Sequence, residues 1–358
     1  MKNLLTTLTT ALMLFNAITL QAQTTITVDN TPGSGAQFSD IQSAVDAASN
    51  GDTIYVQQSQ SNYGVVVVDK PVTIIGRSAL DANFITRIQE IRLTIGSDGT
   101  IIRGVSVING ISTVGEGGAN PTTGVISNIT ITECTTSINL GSDGSSDSYD
   151  VQNITLSGIN HRGIDLDSTV SNVLIDNSSI TALSASNPSA LLVSNCIFEM
   201  RSTSQPQIIN SNVNGTITIT NTIFEGPVST LRISGNYSLS FCLLVNVNDP
   251  TNPVTVEPNT SATNNVNNCI FGQDPLFVLN GPIPGGQGIF TTIPDFNLQT
   301  GSPAIGAGFQ GENIGYESTF NFKRLGKPRN FPEVKITNFT NISQPNGTLT
   351  FEIQATSH

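Results

Sequence analysis

The feature that most constrains the fold is a repeat of short strand-like segments along the central chain. Each segment alternates apolar and polar residues, which is typical of a β-strand with one buried face. Equivalent positions recur at intervals of about 18 to 27 residues, as expected for one turn of a solenoid. The segments are NITITECTTS (128–137), NITLSGINHR (153–162), NVLIDNSSIT (172–181), ALLVSNCIFE (190–199), TITITNTIFE (216–225), YSLSFCLLVN (237–246) and NNVNNCIFGQ (264–273).

This spacing predicts that equivalent residues of neighbouring turns stack in ladders. In a coil of parallel strands, like positions lie about 4.8 Å apart. One predicted ladder contains Asn177, Asn195, Asn221 and Asn268. The next position along each segment holds the small residues Cys134, Ser178, Cys196, Thr222, Cys242 and Cys269.

The second ladder accounts for all four cysteines of the chain. An even number of cysteines in an exported protein usually suggests disulfides. Small residues at one inward position favour instead free, buried thiols that pack as small apolar groups. Because only Cys242 and Cys269 fall in adjacent turns, a cross-link between these two stays open as the alternative.

The first 22 residues have the layout of a secretory signal peptide. Lys2 gives a positive start, an apolar run follows, and Ala22 supplies a small residue before Gln23. No second hydrophobic segment follows, so we expect no membrane span in the mature chain. The sequence thus predicts a secreted or cell-surface protein exported by a bacterial-type route, and we expect a monomer.

The stretch FSDIQSAVDAASNGDTIYV (38–56) predicts a short amphipathic helix followed by a strand. Ser39 or Asp40 can act as the N-cap, and Gly51 ends the helix. Its predicted apolar face consists of Ile41, Ala44, Val45 and Ala48. Because a single apolar stripe must lie against something, we interpret the helix as a lid over the open end of the β stack.

This opening, together with YGVVVVDKPVTIIG (63–76), is similar to the start of exported right-handed parallel β-helix proteins of the pectin-lyase-like superfamily. DPLFV (274–278) with DFNLQTGSPAIGAG (295–308) resembles the closing segment of its bacterial cell-surface members. The resemblance covers roughly residues 24 to 315. It implies an all-β, single-stranded right-handed parallel β-helix with a capping helix. It implies no single activity, because the superfamily includes lyases, hydrolases, adhesins and proteins without known chemistry.

We divide the chain into a signal peptide (1–22), a β-helix (24–315), a linker (316–333) and a β-hairpin (334–358). The last stretch has two alternating strands around an NG turn signal. It resembles the start of an immunoglobulin-like module, and two strands cannot bury a core alone. We therefore expect a truncated module, with packing of the hairpin on the end of the coil as the alternative.

Composition excludes some partners. Only 11% of residues are charged and the formal net charge is −12, so nucleic acid is not an expected partner. The same charge disfavours direct binding of polyanionic sugars unless a cation bridges the two. The chain has no Trp and five Tyr, so the sequence predicts no aromatic platform for sugar rings. A polysaccharide or a cell-surface glycan remains the expected partner class.

The densest group of reactive residues is NHRGIDLD (160–167), which contains His161, Arg162, Asp165 and Asp167. Lyases of the superfamily named above abstract a proton next to a sugar carboxylate, with a basic residue and bound calcium. Hydrolases use two carboxylates. Arg162 fits the first scheme, and Asp165 with Asp167 fits the second.

Two neighbouring turns could add Glu133 and Asp176 to that group. The alternative is an ordinary surface ion pair among turn residues. The motifs of pectate lyases and polygalacturonases are not found in this sequence. Their catalytic residues therefore cannot be carried over to positions here.

A second candidate site is the loop GSDGSSDSYD (141–150), whose carboxylates Asp143, Asp147 and Asp150 are potential calcium ligands. Their spacing departs from the ligand order of an EF-hand, so a solvated loop is favoured. We expect no required cofactor, with Ca²⁺ as the candidate ion.

Three hypotheses of function follow from the sequence. The leading one is a non-catalytic surface protein for adhesion or glycan contact. The second is an enzyme acting on acidic polysaccharide, a lyase before a glycoside hydrolase. The third is a structural stalk.

Overall fold

The chain coils so that successive turns add parallel strands to two long sheets. The structure is a computed structural model. It describes residues 23–58, 61–81, 83–113, 123–141, 148–160, 162–186, 189–199, 208–210, 216–225, 231–234, 236–245, 254–256, 264–279, 295–316, 333–339 and 351–356.

The described part contains one α-helix, α1 (Ile41–Ala47), and a short 3-10 helix (Phe309–Gly311). The strands are β1 (Thr25–Val28), β2 (Thr53–Val56), β3 (Tyr63–Val68), β4 (Thr73–Gly76), β5 (Arg87–Leu93), β6 (Ile101–Arg103), β7 (Ser106–Val107), β8 (Ile111–Ser112), β9 (Thr123–Ser127), β10 (Thr130–Thr132), β11 (Ile138–Leu140), β12 (Ser148–Ser157), β13 (Arg162–Leu166), β14 (Val170–Asp176), β15 (Ser179–Ala185), β16 (Ser189–Ser194), β17 (Ile197–Glu199), β18 (Ile208–Asn210), β19 (Ile217–Thr220), β20 (Ile223–Glu225), β21 (Leu231–Ser234), β22 (Tyr237–Ser240), β23 (Leu243–Leu244), β24 (Val254–Val256), β25 (Asn264–Asn267), β26 (Ile270–Phe271), β27 (Phe277–Leu279), β28 (Asp295–Leu298), β29 (Glu333–Phe339) and β30 (Phe351–Thr356).

Sheet A has the strand order β1-β2-β4-β6-β10-β12-β14-β16-β19-β22-β25, with β9 beside β12. Its strands pair in parallel and in register with the equivalent strands of the adjoining turns. Thr130, for example, pairs with Thr155, and Ile131 pairs with Leu156. The predicted parallel β-helix is confirmed by this pairing.

Sheet B has the order β26-β23-β20-β17-β15-β13-β11-β8-β5-β3 and includes β7, β18, β21 and β24. It divides into two arms at β15. The first residues of β15 pair with β17, whereas its last residues pair with β18, which continues to β21 and β24. Each complete turn of the coil therefore has three sides, one from sheet A and one from each arm of sheet B.

From β6 onward, a single residue in the left-handed conformation forms the corner between sheet A and sheet B. The backbone N–H of this corner residue donates to a backbone carbonyl of the next turn. The N–H of Asn177, for example, donates to the carbonyl of Ser194 at 3.2 Å. Asn and Gly tolerate this conformation better than other residues. The corner residues with positive φ are Gly104, Glu133, Gly158, Asn177, Asn195, Asn221, Phe241 and Asn268. The predicted asparagine ladder is confirmed and occupies this corner.

The residue after each corner points into the coil. Cys134, Cys196 and Cys242 are fully buried, as are Ser178 and Thr222 at the same position. Cys269 is only partly buried. The predicted ladder of small inward residues is thus confirmed. Aliphatic side chains fill the rest of the interior, where the rings of two phenylalanines, Phe198 and Phe224, stack with centroids 5.2 Å apart.

The predicted N-terminal helix is present and covers the first turn. The backbone N–H of Ser43 donates to Asp40 Oδ1 at 2.8 Å, so Asp40 is the N-cap, and Ile41, Ala44 and Val45 are buried. Gln42 bonds both backbone groups of Val67, accepting from its N–H (2.7 Å) and donating to its carbonyl (3.3 Å). Because Val67 lies in β3, the terminal strand of sheet B, α1 satisfies an otherwise open strand edge.

The closing segment (residues 295–316) folds back along the outside of sheet B. It packs on the outward side chains of β17, β20 and β23, while their neighbours Phe198 and Phe224 face the interior. Asn221 fixes it, because its Oδ1 accepts the N–H of Phe309 (2.8 Å) and its carbonyl accepts that of Gly315 (2.7 Å). The apolar contact comprises Ile197, Ile223, Leu243, Phe277, Phe296, Ala304 and Ile314.

The predicted C-terminal hairpin is present as the antiparallel pair β29–β30. Its assignment to an immunoglobulin-like module stays a prediction. The signal peptide and most of the linker lie outside the described residues. Within the described part of the chain, no helix is long and apolar enough to span a membrane.

Asp52 ties the start of β1 to the end of α1. Hydrogen bonds from the Thr24 side chain and backbone and from the backbone of Ser49 lower the pKa of its carboxyl from the ordinary aspartate value. A lowered folded-state pKa gives stability above the unfolded value, and this stability is lost as the pH falls through the folded value.

We predict that Asp52→Asn lowers the stability of the first turn at pH 7 by about 1 kcal/mol, because the amide offers fewer acceptor sites than the carboxylate. Amide hydrogen exchange of β1 and β2 measures this change. The difference in stability between the variant and the wild type should shrink as the pH falls through the lowered pKa of Asp52, because the wild-type acid then also becomes neutral. A difference in stability that stays constant down to low pH would contradict a stabilising role for the charged Asp52 carboxylate.

Candidate functional site

The reactive group 160–167 includes the whole of β13 and extends one residue beyond the end of that strand. His161 lies outside the described residues, and Arg162 is described only as the first residue of β13, paired with Ile180. Asp165 is exposed on the outer face of sheet B. Asp167 follows the strand and accepts the backbone N–H of Ser168. The roles assigned to these four residues stay predictions.

Asp165 belongs to a polar column of sheet B. Its in-register neighbours are Asn139 in the preceding turn and Ser184 in the following turn. Arg92, two turns before Asn139, is paired with Glu90 on its own strand at 2.7 Å. The nearest ladder neighbours of Asp165 are therefore uncharged.

The two carboxylates expected in neighbouring turns are held by other partners. Glu133 forms a two-point ion pair with Arg103 of the preceding turn, with distances of 3.0 and 3.3 Å. Asp176 accepts hydrogen bonds at 3.2 Å from the hydroxyl of Ser194 and the amide of Asn195, and a further bond from Asn177. Both carboxylates thus stabilise the corner between sheets A and B.

The candidate calcium loop is described only at its end. Asp143 and Asp147 lie outside the described residues, and Asp150 is an exposed residue of β12. Within the described ranges, no three His, Cys, Asp or Glu side chains gather as metal ligands. The calcium site therefore stays a prediction.

A second row of left-handed residues runs across the outer face of sheet A. Asn128 (φ 59°), Asn153 (φ 60°), Asn172 (φ 54°) and Ala190 (φ 57°) occupy equivalent places in four turns, where the strand pairing skips one residue. The amide of Asn153 donates to Asn128 Oδ1 at 3.3 Å, and that of Asn172 donates to Asn153 Oδ1 at 3.2 Å. We call this row the outer asparagine ladder.

The outer asparagine ladder borders a shallow open groove of about 510 Å³. Hydroxyl, amide and aliphatic groups line it, and none of its lining residues is ionisable. Two exposed leucines, Leu174 and Leu192, are in-register neighbours and continue its apolar strip. The lining comprises Asn128, Thr130, Asn153, Ile154, Thr155, Asn172, Val173, Leu174 and Ala190.

A parallel column of polar residues flanks the groove. These residues lie two positions further along each strand of sheet A and face outward too. They are mainly hydroxyl-bearing and include Thr132, Ser157, Ser194, Thr220 and Ser240. The face thus offers hydrogen bonds over many turns, with the Arg103–Glu133 pair and Asp176 as charged points beside the groove.

Sequence reasoning did not identify the outer asparagine ladder. A signal existed, because Asn128, Asn153 and Asn172 are each the first residue of one of the aligned repeat segments. In a chain so rich in Asn, these residues look like ordinary turn formers. Only the positive φ at that position in successive turns distinguishes them.

The Arg103–Glu133 pair allows a test of how the corner is stabilised. We predict that Arg103→Ala lowers the free energy of unfolding by about 1–2 kcal/mol, because Glu133 then stays nearly buried without its cation. Glu133→Gly should cost less, since glycine accepts the positive φ without strain. Thermal unfolding followed by circular dichroism compares the two variants, and a larger loss in Glu133→Gly would contradict this account.

Comparison with known proteins adds little beyond this geometry. A solved structure, the pectin methylesterase from Aspergillus niger, is similar with a TM-score of 0.30 and 16% sequence identity over 70% of this chain and 86% of that chain. No family model and no curated protein matches the sequence. The fold assignment therefore rests on the strand pairing of this chain itself.

Proposed function

We propose that the protein is an exported β-helix that binds an extended, uncharged polysaccharide in the groove on the outer face of sheet A, without cleaving it. The observation that carries this proposal is the groove itself, with a row of asparagine amides along one side and no ionisable group in its lining.

The chemistry of the groove suits a neutral sugar. Each asparagine amide has two donor hydrogens and two acceptor lone pairs. In the outer asparagine ladder, Asn153 uses one donor and one acceptor for its neighbours, so half of its capacity remains available to a ligand. Thr130 and Thr155 add hydroxyl groups, and Leu174 adds an aliphatic surface for the apolar face of a sugar ring.

The repeat of the coil suits a repeating ligand. Equivalent groups recur about every 4.8 Å along the coil axis. This spacing is close to the length of one pyranose ring in an extended glycan, so successive sugars meet the same amide and hydroxyl groups. Affinity then comes from several weak, similar contacts rather than from one deep pocket.

The negative charge of the protein favours a neutral polysaccharide over an acidic one as the ligand. The protein carries a formal net charge of −12, which repels polyanions at long range. Within the groove no lysine or arginine compensates this repulsion. Adhesion through an acidic glycan would require a cation bridge that nothing in the described groove provides.

Export to the cell surface is the second part of the proposal. It is supported by the signal-peptide layout of residues 1–22 and by the resemblance of the first and last segments to those of bacterial cell-surface proteins. A surface protein of this kind would meet extended glycans at its own or a neighbouring cell.

We predict that Asn153→Gly weakens binding of a neutral polysaccharide about five- to tenfold, because one amide in the middle of the ladder is lost while glycine keeps the backbone conformation. Isothermal titration against xylan, mixed-linkage β-glucan and galactomannan measures the affinity. Pectate and alginate serve as acidic comparisons and should not bind.

Asn268→Gly is the matched control for that experiment. Asn268 is also left-handed (φ 52°) and exposed, but it lies in a corner outside the groove. Its variant should bind as the wild type does. If both variants lose affinity equally, the groove is not the glycan-binding site. If the wild type binds none of the glycans, a role as a structural stalk becomes the better hypothesis.

A polysaccharide lyase is the second candidate function. It is favoured by Arg162, the candidate base in β13, which shares its strand with the exposed carboxylate of Asp165, a candidate ligand for the calcium that such lyases use. We predict that the wild type, incubated with acidic polysaccharides with and without calcium, gives no rise in the ultraviolet absorbance of unsaturated products. A rise that disappears in Arg162→Ala would overturn the non-catalytic proposal and identify the base.

A further inference from the structure

The ladder of small inward residues brings two thiols together at the C-terminal part of the coil. Sheet A pairs Ser240 with Asn267, and sheet B pairs Leu243 with Ile270. Cys242 and Cys269 therefore occupy the same position in adjacent turns, and the N–H of Ile270 donates to the carbonyl of Cys242 at 2.8 Å. The ladder neighbours of Cys196, in contrast, are Ser178 and Thr222.

The geometry of this pair suits a covalent link. Ladder neighbours lie about 4.8 Å apart, within the range of Cα separations found in disulfides. The two side chains also have the same orientation. Cys242 Sγ lies 3.4 Å from the carbonyl oxygen of Ser240, and Cys269 Sγ lies 3.4 Å from that of Asn267, in each case two residues earlier. The two sulfur atoms thus occupy equivalent places in neighbouring turns, and the two thiols are close enough to form a hydrogen bond with each other.

The two thiols differ in burial and in pKa, and this difference gives them different roles in disulfide formation. The Cys242 thiol is fully buried, and burial raises its pKa. Cys269 is only partly buried, and a hydrogen bond from the Cys242 thiol lowers its pKa. Cys269 is therefore the thiol that meets an external oxidant first, because the thiolate is the reacting form and it has access to solvent.

We propose that Cys242 and Cys269 form a disulfide that fastens two adjacent turns of the coil when the protein meets a small-molecule or protein disulfide. The Cys269 thiolate attacks the external disulfide, forming a mixed disulfide and releasing one thiolate. Cys242 then attacks the sulfur of Cys269, and its proton passes to the second thiolate as that group leaves. Two protein thiols are oxidised and one external disulfide is reduced to two thiols.

The link would stabilise the contact between the coil and its closing segment. Phe241, next to Cys242, packs edge to face on Phe309 with ring centroids 5.6 Å apart. A bond from Cys242 to the following turn holds this corner in place. The inference rests on the position of the thiols alone and is independent of the proposed glycan binding.

The test uses the full chain, purified under reducing conditions and then exposed to oxidised glutathione. We expect a mass loss of about 2 Da, corresponding to two hydrogens, and a peptide map that joins Cys242 to Cys269. The unfolding midpoint should rise by about 5 °C and return after treatment with dithiothreitol.

Two variants control the experiment. Cys196→Ser should lose the same mass as the wild type, whereas Cys269→Ser should lose none. Serine or threonine already occupies this ladder position in other turns, so both variants are expected to fold, which circular dichroism checks. The proposal would be overturned if the oxidised wild type carried a stable glutathione adduct on Cys269. A disulfide that joined the Cys269 residues of two molecules would also overturn it.

Discussion

In-register hydrogen bonding between successive turns is the constraint on which the rest of this structure depends. Each backbone group of a strand pairs with the same position of the next turn, so every side chain faces a counterpart about 4.8 Å away. Like charges at that distance repel by about 1 kcal/mol even in water. A ladder therefore favours Thr, Ser, Asn and aliphatic residues, and only 11% of the chain is charged. Where two acids do fall in register, as Glu199 and Glu225 do, the hydroxyl of Ser179 donates to Glu199.

The left-handed residues are the second constraint, and they connect the fold to the candidate site. From β6 onward the coil turns sharply after each strand of sheet A, and a left-handed residue provides that turn. The same conformation, used a second time within sheet A, places Asn128, Asn153 and Asn172 in one exposed row. Side chains that serve the backbone geometry thus also present a column of amides to solvent. Glycine at these positions removes the amide but keeps the backbone conformation, whereas most other residues would change both.

The fold could be predicted from the sequence because its determinants are local and repeated. The period of the segments, the helical face of Ile41, Ala44 and Val45, and the column of small residues each follow from residues close together in the chain. The capping Asp40 followed in the same way, whereas the predicted helix end at Gly51 was wrong: the helix ends at Ala47, and Ala48 is already extended. Repetition made the period of the segments and the column of small residues visible several times.

The candidate site could not be predicted because the coil brings together residues that are distant in sequence. The group 160–167 attracted attention through linear clustering, yet the structure pairs Glu133 with Arg103, thirty residues earlier, and binds Asp176 to Ser194 and Asn195. The groove draws one or two residues from each of several turns, none of them unusual by itself. The backward fold of the closing segment onto Asn221 also depends on a contact between distant residues.

A site built from ladders has different physical consequences from a catalytic site. Catalysis requires a few groups held in one geometry, and losing one of them abolishes activity. A ladder of similar groups distributes its affinity over several turns, so each substitution has a modest effect and the ligand can shift by one turn with little change in contacts. Such a surface recognises the shape and polarity of a polymer rather than one sugar. This property suits the repetitive glycan that we propose as the ligand of the groove.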